Sequence, residues 1–230
     1  MFALITGASE GIGWACAQKL AEEGYNLILA ARNEDKLLRR AEELVEINPE
    51  IEVYVHAGNL TDQTKLVELA SLISTEEIAL HVLINNVGQY MEDSVLDEHN
   101  QLYKSLQINL VTPVNLTALL WKDLAASKGH IFNIGSILSR DVRTEAASYT
   151  MAKHALRAWN KMLGEELRPR GVKVTGIFPA SVYTKAWEGS PVDSGLLIDP
   201  EDIATIISQN LKSGYQAVQS EIFIDTISGL

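Results

Sequence analysis

A chain of 230 residues, 47% hydrophobic and 21% charged, has the makings of one globular domain over 1–230 and not of a disordered tail. Its formal net charge of −11 excludes a broad basic footprint for nucleic acid or anionic lipid, so any anionic ligand must be held by local groups. No apolar run approaches the roughly 18 residues of a membrane span, no signal-peptide pattern opens the chain, and the lone Cys16 cannot form an internal disulfide; a soluble cytoplasmic protein that binds neither nucleic acid nor membrane is expected.

Short strand-like runs alternate with helical periodicity from end to end, the pattern of an α/β fold. The first run, 2–5, leads through Thr6-Gly7-Ala8-Ser9-Glu10-Gly11-Ile12-Gly13 into a helix over 12–23. Glycines at a strand-to-helix turn let the backbone approach a pyrophosphate, whose charge is met by the free N–H groups of the helix start. Gly7, Ser9, Glu10, Gly11, Ile12 and Gly13 are therefore candidate cofactor contacts, and a plain tight turn is the alternative. The expected architecture is a single-domain Rossmann fold, a doubly wound seven-stranded parallel sheet with helices on both faces. The second strand, 27–31, ends in Ala31-Arg32-Asn33 before a helix over 34–47. An acid here would bind ribose hydroxyls and a base would accept a 2′-phosphate. Arg32, helped by Ser9 and Asn33, favours NADP(H), with NAD(H) possible; the alternative is a solvated arginine.

The third strand, 52–56, is followed by Asn59-Leu60, where an adenine ring would lie, and by a helix over 63–75. A fourth strand, 80–85, runs into Asn85-Asn86-Val87-Gly88. Strand ends near a switch of strand order are where such sheets bind ligands, so Asn86, Val87 and Gly88 join the cofactor candidates. A long helix is expected over 98–126, with Asn109 in Gln107-Ile108-Asn109-Leu110. The fifth strand, 130–135, closes on Ser136, and a helix over 145–167 carries Tyr149 and Lys153. Four residues apart, these two share a helix face, and a cation beside a phenol lowers its pKa from about 10 toward the working pH. A proton donor and acceptor is the expected result. Strand 172–178, an aperiodic connection over 180–198, a helix over 200–212 and a strand at 222–224 complete the chain.

Taken in order, the 6–13 glycine motif, Asn85-Asn86-Val87-Gly88, Asn109, Ser136, Tyr149, Lys153 and the 179–184 turn closely resemble the short-chain dehydrogenase/reductase family over nearly the whole chain. The catalytic half is similar to 3-oxoacyl-[acyl-carrier-protein] reductases. The resemblance implies an NADP(H)-dependent oxidoreductase that moves a hydride between nicotinamide and a carbonyl or alcohol. In it Tyr149 is the general acid/base, Ser136 holds the substrate oxygen, and Lys153 binds the nicotinamide ribose and tunes Tyr149. It implies that Asn109 holds a water linking Lys153 to solvent, and that Pro179, Val182 and Thr184 shape the nicotinamide pocket. Val87 and Ala180 depart from the family's alanine and glycine; Ala180 would be strained if that position needed positive φ.

By the same resemblance, substrate is met by Ile137, Leu138, Ala146, Tyr183 and Trp187, with Arg140 and Arg143 as conceivable anchors for a carboxylate or phosphate. A small carbonyl or alcohol is the expected partner. An acidic carrier protein would need a basic patch such as Lys128, Arg168, Arg170 and Lys173. No metal is expected. Apolar residues on more than one side of the two long helices, including Leu119 and Met162, suggest a homodimer or homotetramer, with core packing as the alternative. A different class of function remains open: an NADP(H)-binding sensor or scaffold without turnover.

Overall fold

The computed structural model describes residues 1–187 and 189–229. In chain order it contains β1 (Phe2–Thr6), α1 (Gly11–Glu22), β2 (Asn26–Ala31), α2 (Glu34–Ile47), β3 (Val53–Ala57), α3 (Gln63–Thr75), β4 (Leu80–Asn85), α4 (Leu102–Leu106), α5 (Thr112–Ala126), β5 (His130–Ile134), α6 (Ala147–Leu167), β6 (Lys173–Pro179), α7 (Pro200–Leu211) and β7 (Glu221–Ile224). The strands form one seven-stranded sheet in the order β3-β2-β1-β4-β5-β6-β7, and every pairing is parallel. The expected doubly wound architecture is therefore present, with each strand within a residue or two of its sequence-predicted bounds.

Central strands read as unbroken apolar runs because both faces are covered. Leu27, Leu29, Val82 and Ile84 face a layer built from α1, α2 and α7, with Cys16, Leu20 and Ile203 among its buried side chains. Leu4, Ile28, Leu83 and Ile131 face the opposite layer, where Leu66, Leu69, Leu116 and Leu120 come from α3 and α5. Chain order reverses between β1 and β4, so a crevice opens beyond the carboxyl ends of those strands.

The helix expected over 98–126 starts later and is not continuous. Asp97 and Asn100 turn the chain with their own side chains, Oδ1 of Asp97 accepting from His99 N at 2.9 Å and Oδ1 of Asn100 from Leu102 N at 3.2 Å. Such local bonds compete with helical ones. Gln107–Val111 then form a π-helical turn between α4 and α5, with Asn109 inside it. Insertions of this kind are rare and concentrate at functional sites.

The connection after β6 is closed by a parallel bridge between Val182 and Ile198. Ala180 carries no strain: the only non-glycine residues with positive φ among those described are Glu77 and Lys128. No helix among the described residues is long and apolar enough to cross a membrane.

Candidate active site

Gly7 and Gly11 take φ of +66° and +56°, a backbone conformation that side chains disfavour, and so turn β1 into α1. Gly13 has a different reason: a Cβ there would lie 2.3 Å from the Gly7 carbonyl oxygen, so only glycine lets the first helical turn pack against the loop. The Thr6 hydroxyl accepts from the amides of Asn86 at 2.9 Å and Val87 at 3.1 Å. Asn86 in turn donates Nδ2 to Thr6 O at 2.9 Å. The glycine turn and the end of β4 are thus stitched into one floor.

Above that floor lies a cleft of about 1080 Å³. Of the expected cofactor contacts, Gly7, Ser9, Glu10, Gly11, Ile12, Arg32, Asn33, Asn59, Leu60, Asn86, Val87, Gly88, Tyr149, Lys153 and Thr184 line it. Gly13, Pro179 and Val182 do not: they are buried behind the wall, Val182 within the apolar core. Lys36, Lys104 and Lys185 were not expected but line the cleft too. Among the described residues its wall therefore carries five basic side chains (Arg32, Lys36, Lys104, Lys153 and Lys185) against one carboxylate, Glu10. In a chain of net charge −11, this is a local inversion of sign.

Glu10 is itself engaged. Lys36 Nζ donates to its Oε2 at 2.6 Å, and that bond, with smaller contributions from Lys185 and Arg32 against the effect of burial, holds the carboxyl below its ordinary pKa. Asn33 serves α2 as its N-cap, Oδ1 accepting from Lys36 N at 2.8 Å. One lone pair of its oxygen is therefore committed to the helix, leaving the other and the NH2 for a ligand.

Beneath the far end of the cleft, Lys153 is buried and donates Nζ to Ile134 O at 3.0 Å. The ammonium lies 5.5 Å from the centroid of the Tyr149 ring. The expected lowering of the Tyr149 pKa is not seen in the protein alone. Burial pushes the phenol up to about 12, a hydrogen bond with Ser136 works the other way, and Tyr90 adds to the rise. Burial also pushes Lys153 down to about 8, which weakens it as a permanent cation. Ser136 Oγ accepts from Leu138 N at 3.2 Å, which leaves its hydroxyl proton to donate, toward Tyr149 or toward a ligand oxygen.

Asn109 ties this region to the loop after β4. Its Oδ1 accepts from Gln89 N at 3.0 Å, and its Nδ2 donates to Gln89 O at 3.0 Å and Ser105 Oγ at 3.2 Å. Both amide protons are used, leaving a second lone pair on Oδ1 and the main-chain carbonyl for any water. The next residue, Tyr90, lines the cleft and meets Tyr149 edge-on at 5.2 Å between ring centroids. It was missed because it sits in an aperiodic loop.

The expected substrate contacts divide. Tyr183 is 49% exposed, and Ile137 and Trp187 are partly so. Leu138 and Ala146 are 5% and 0% exposed, enclosed by packing and by the pairing of Ala146 with Asp93, and offer a substrate no surface. Arg140 is paired with Asp141 and Asp225, and Arg143 with Glu145. No cluster of metal-ligating side chains exists among the described residues.

Residues 1–193 match the family model of short chain dehydrogenases. An uncharacterized oxidoreductase of Staphylococcus aureus is 32% identical over 212 residues, covering 89% of this chain and 88% of its own length. Among solved structures, a metagenomic short-chain oxidoreductase in complex with NADP aligns with a TM-score of 0.84 at 29% identity, covering 97% of this chain and 96% of that one. A β-ketoacyl-[ACP] reductase from Bacteroides thetaiotaomicron aligns with a TM-score of 0.86 at 27% identity, covering 98% and 96%.

Proposed function

The chain belongs to the short chain dehydrogenase family, and from that premise we propose that it is an NADP(H)-dependent oxidoreductase acting on a small, uncharged carbonyl or alcohol. The observation that carries this reading is the cleft itself: a glycine floor and four basic side chains besides Lys153 lead, in an acidic protein, to a half-buried Tyr149 beside the buried Lys153. A phosphorylated dinucleotide fits that wall, with its pyrophosphate at the glycine turn and its 2′-phosphate beside Arg32 and Lys36. The NADP complex of the metagenomic relative supports the same choice.

When bound, NADP(H) supplies or takes up the hydride at its nicotinamide ring. In reduction Tyr149 gives its phenol proton to the substrate oxygen; in oxidation it takes the proton back. A phenol held neutral by burial is ready for the first of these directions. Ser136 donates to the same oxygen and fixes it beside Tyr149. Lys153, with one proton on Ile134 O, retains two donors for the ribose hydroxyls and acts on Tyr149 electrostatically. Asn109 would take a relay water on its free lone pair or carbonyl, while its amide holds Gln89.

Pairing of Arg140 and Arg143 with carboxylates favours an uncharged substrate. It is a free compound rather than one on an acidic carrier, because three of the four candidate docking residues are already engaged. Arg168 and Arg170 are paired with Glu165 and Glu166 at 2.9 Å each, and Lys173 Nζ donates to Gly214 O at 2.9 Å. Leu119 and Met162 on α5 and α6 stay exposed, at 36% and 64%, and would pair with a second copy of the chain. Following NADPH absorbance with a panel of ketones, aldehydes and 3-oxoacyl thioesters tests the reading. Turnover confined to free carbonyls is expected; none with any member would overturn it.

A further inference from the structure

Helix α6 carries Tyr149 and Lys153 but does not cap its own start. Its N-cap residue, Ala146, has no side-chain acceptor, and no acidic residue stands in its first turn. Free N–H groups at a helix start need partners. The partner comes from the loop after β4, 55 positions earlier: Asp93 Oδ1 accepts from Ser148 N at 2.9 Å, and Oδ2 from the Ser148 hydroxyl. Oδ2 also accepts from Gln101 N at 2.8 Å, at the equally uncapped start of α4. The main chain adds two bonds, Asp93 N to Glu145 O at 3.1 Å and Ala147 N to Asp93 O at 3.2 Å.

We propose that Asp93 is a positioning residue for proton transfer, fastening the start of α6, and with it Tyr149, to the loop that carries Tyr90. This rests on the hydride-transfer reading above. The loop is held at both ends: at Gln89 by the two bonds from Asn109 in the π-helical turn, and at Asp93 by Ser148 and Gln101. Tyr90 lies between those anchors, and Tyr149 is the residue next to Ser148, so the edge-on contact of the two rings is fixed from both sides. Burial opposes charge on Asp93, but hydrogen bonds from Ser148, Gln101 and Ala147 outweigh it and hold the carboxyl below its ordinary pKa. A charged acceptor at a helix start is stronger than a neutral one and also meets the helix dipole. Placement errors of about 1 Å at a reacting group can cost about 100-fold in rate, so an anchor one residue from the acid acts on kcat.

Asp93→Ala, Asp93→Asn and Ser148→Ala are compared with the full chain for kcat, NADPH Kd by fluorescence titration, and Tm. Asp93→Ala is expected to lower kcat by about tenfold or more while NADPH Kd stays within about twofold. Asp93→Asn, which keeps an oxygen for Ser148 N, recovers most of that loss, and Ser148→Ala loses about threefold. A kcat within about twofold of the parent in Asp93→Ala overturns the proposal, as does a loss of kcat matched by an equal loss of NADPH binding. Should Asp93→Ala fail to fold, the other two variants decide, and unchanged kcat in both overturns it. Tyr149→Phe separates the two readings: retained turnover there defeats the acid role itself. A dead Tyr149→Phe beside a fully active Asp93→Ala defeats only the anchor.

Discussion

Lys153 holds its ammonium 5.5 Å from the centroid of the Tyr149 ring and binds the Ile134 carbonyl oxygen at 3.0 Å, without a carboxylate partner among the described residues. A buried cation with only a neutral partner is costly to the fold. It persists where function needs it.

Lys153→Met should therefore stabilise the cofactor-free protein while abolishing turnover. A gain of about 1 kcal/mol corresponds to about 2–4 °C in Tm for a chain of this size. A lower Tm in Lys153→Met would show that the amine is a net structural asset.

Stability should also depend on pH through this pair. Lys153 falls from 10.5 to about 8 on folding, so between those values the unfolded chain holds the extra proton and stability rises with pH. Tyr149 rises from 10.0 to about 12, so above pH 10 the folded chain holds the extra proton and stability falls. In melting curves across this range, Lys153→Met should lose the rising limb and Tyr149→Phe the falling one. Unchanged limbs in both variants would remove the pair as their source.

Cofactor preference should follow the cluster at Arg32, Lys36 and Glu10. Lys36→Met should raise the NADPH KM by about tenfold and leave that for NADH unchanged. Glu10→Gln, which removes the anion competing for Lys36, should lower the NADPH KM by about threefold. Arg32→Asp should shift preference toward NADH. An NADPH/NADH ratio insensitive to all three would place the 2′-phosphate elsewhere.

Gly13→Ala should weaken the floor of the cleft, since the added Cβ would lie 2.3 Å from Gly7 O. Overpacking of this kind costs about 1–3 kcal/mol. Tm and NADPH Kd should both worsen; a parent-like Tm with unchanged binding would mean that α1 moves aside freely.

The sheet was legible because apolar runs such as Leu27-Ile28-Leu29 and Val82-Leu83-Ile84 are bounded by turn residues, and the glycine turn because its spacing answers a steric demand at Gly13. Less legible were features set by tertiary approach. Nothing local marks Asn109 as lying in a π-helical turn, or Lys36 on α2 as reaching Glu10 beside the glycine turn. Ala146 is expected to meet substrate, yet its backbone pairs with Asp93 and its side chain is fully enclosed. The phenol's pKa was misjudged for a related reason: spacing on a helix reveals the nearby cation but not the burial that acts on both groups.

The most direct test of the acid role compares wild type and Tyr149→Phe for NADPH-dependent reduction of an active carbonyl, with NADPH Kd measured on both. A fall in kcat of about 10²–10⁴ with Kd within about twofold is the expected result. Substantial kcat in Tyr149→Phe would contradict the assigned acid, and tight NADPH binding without turnover in the wild type would instead mark a cofactor-binding sensor or scaffold.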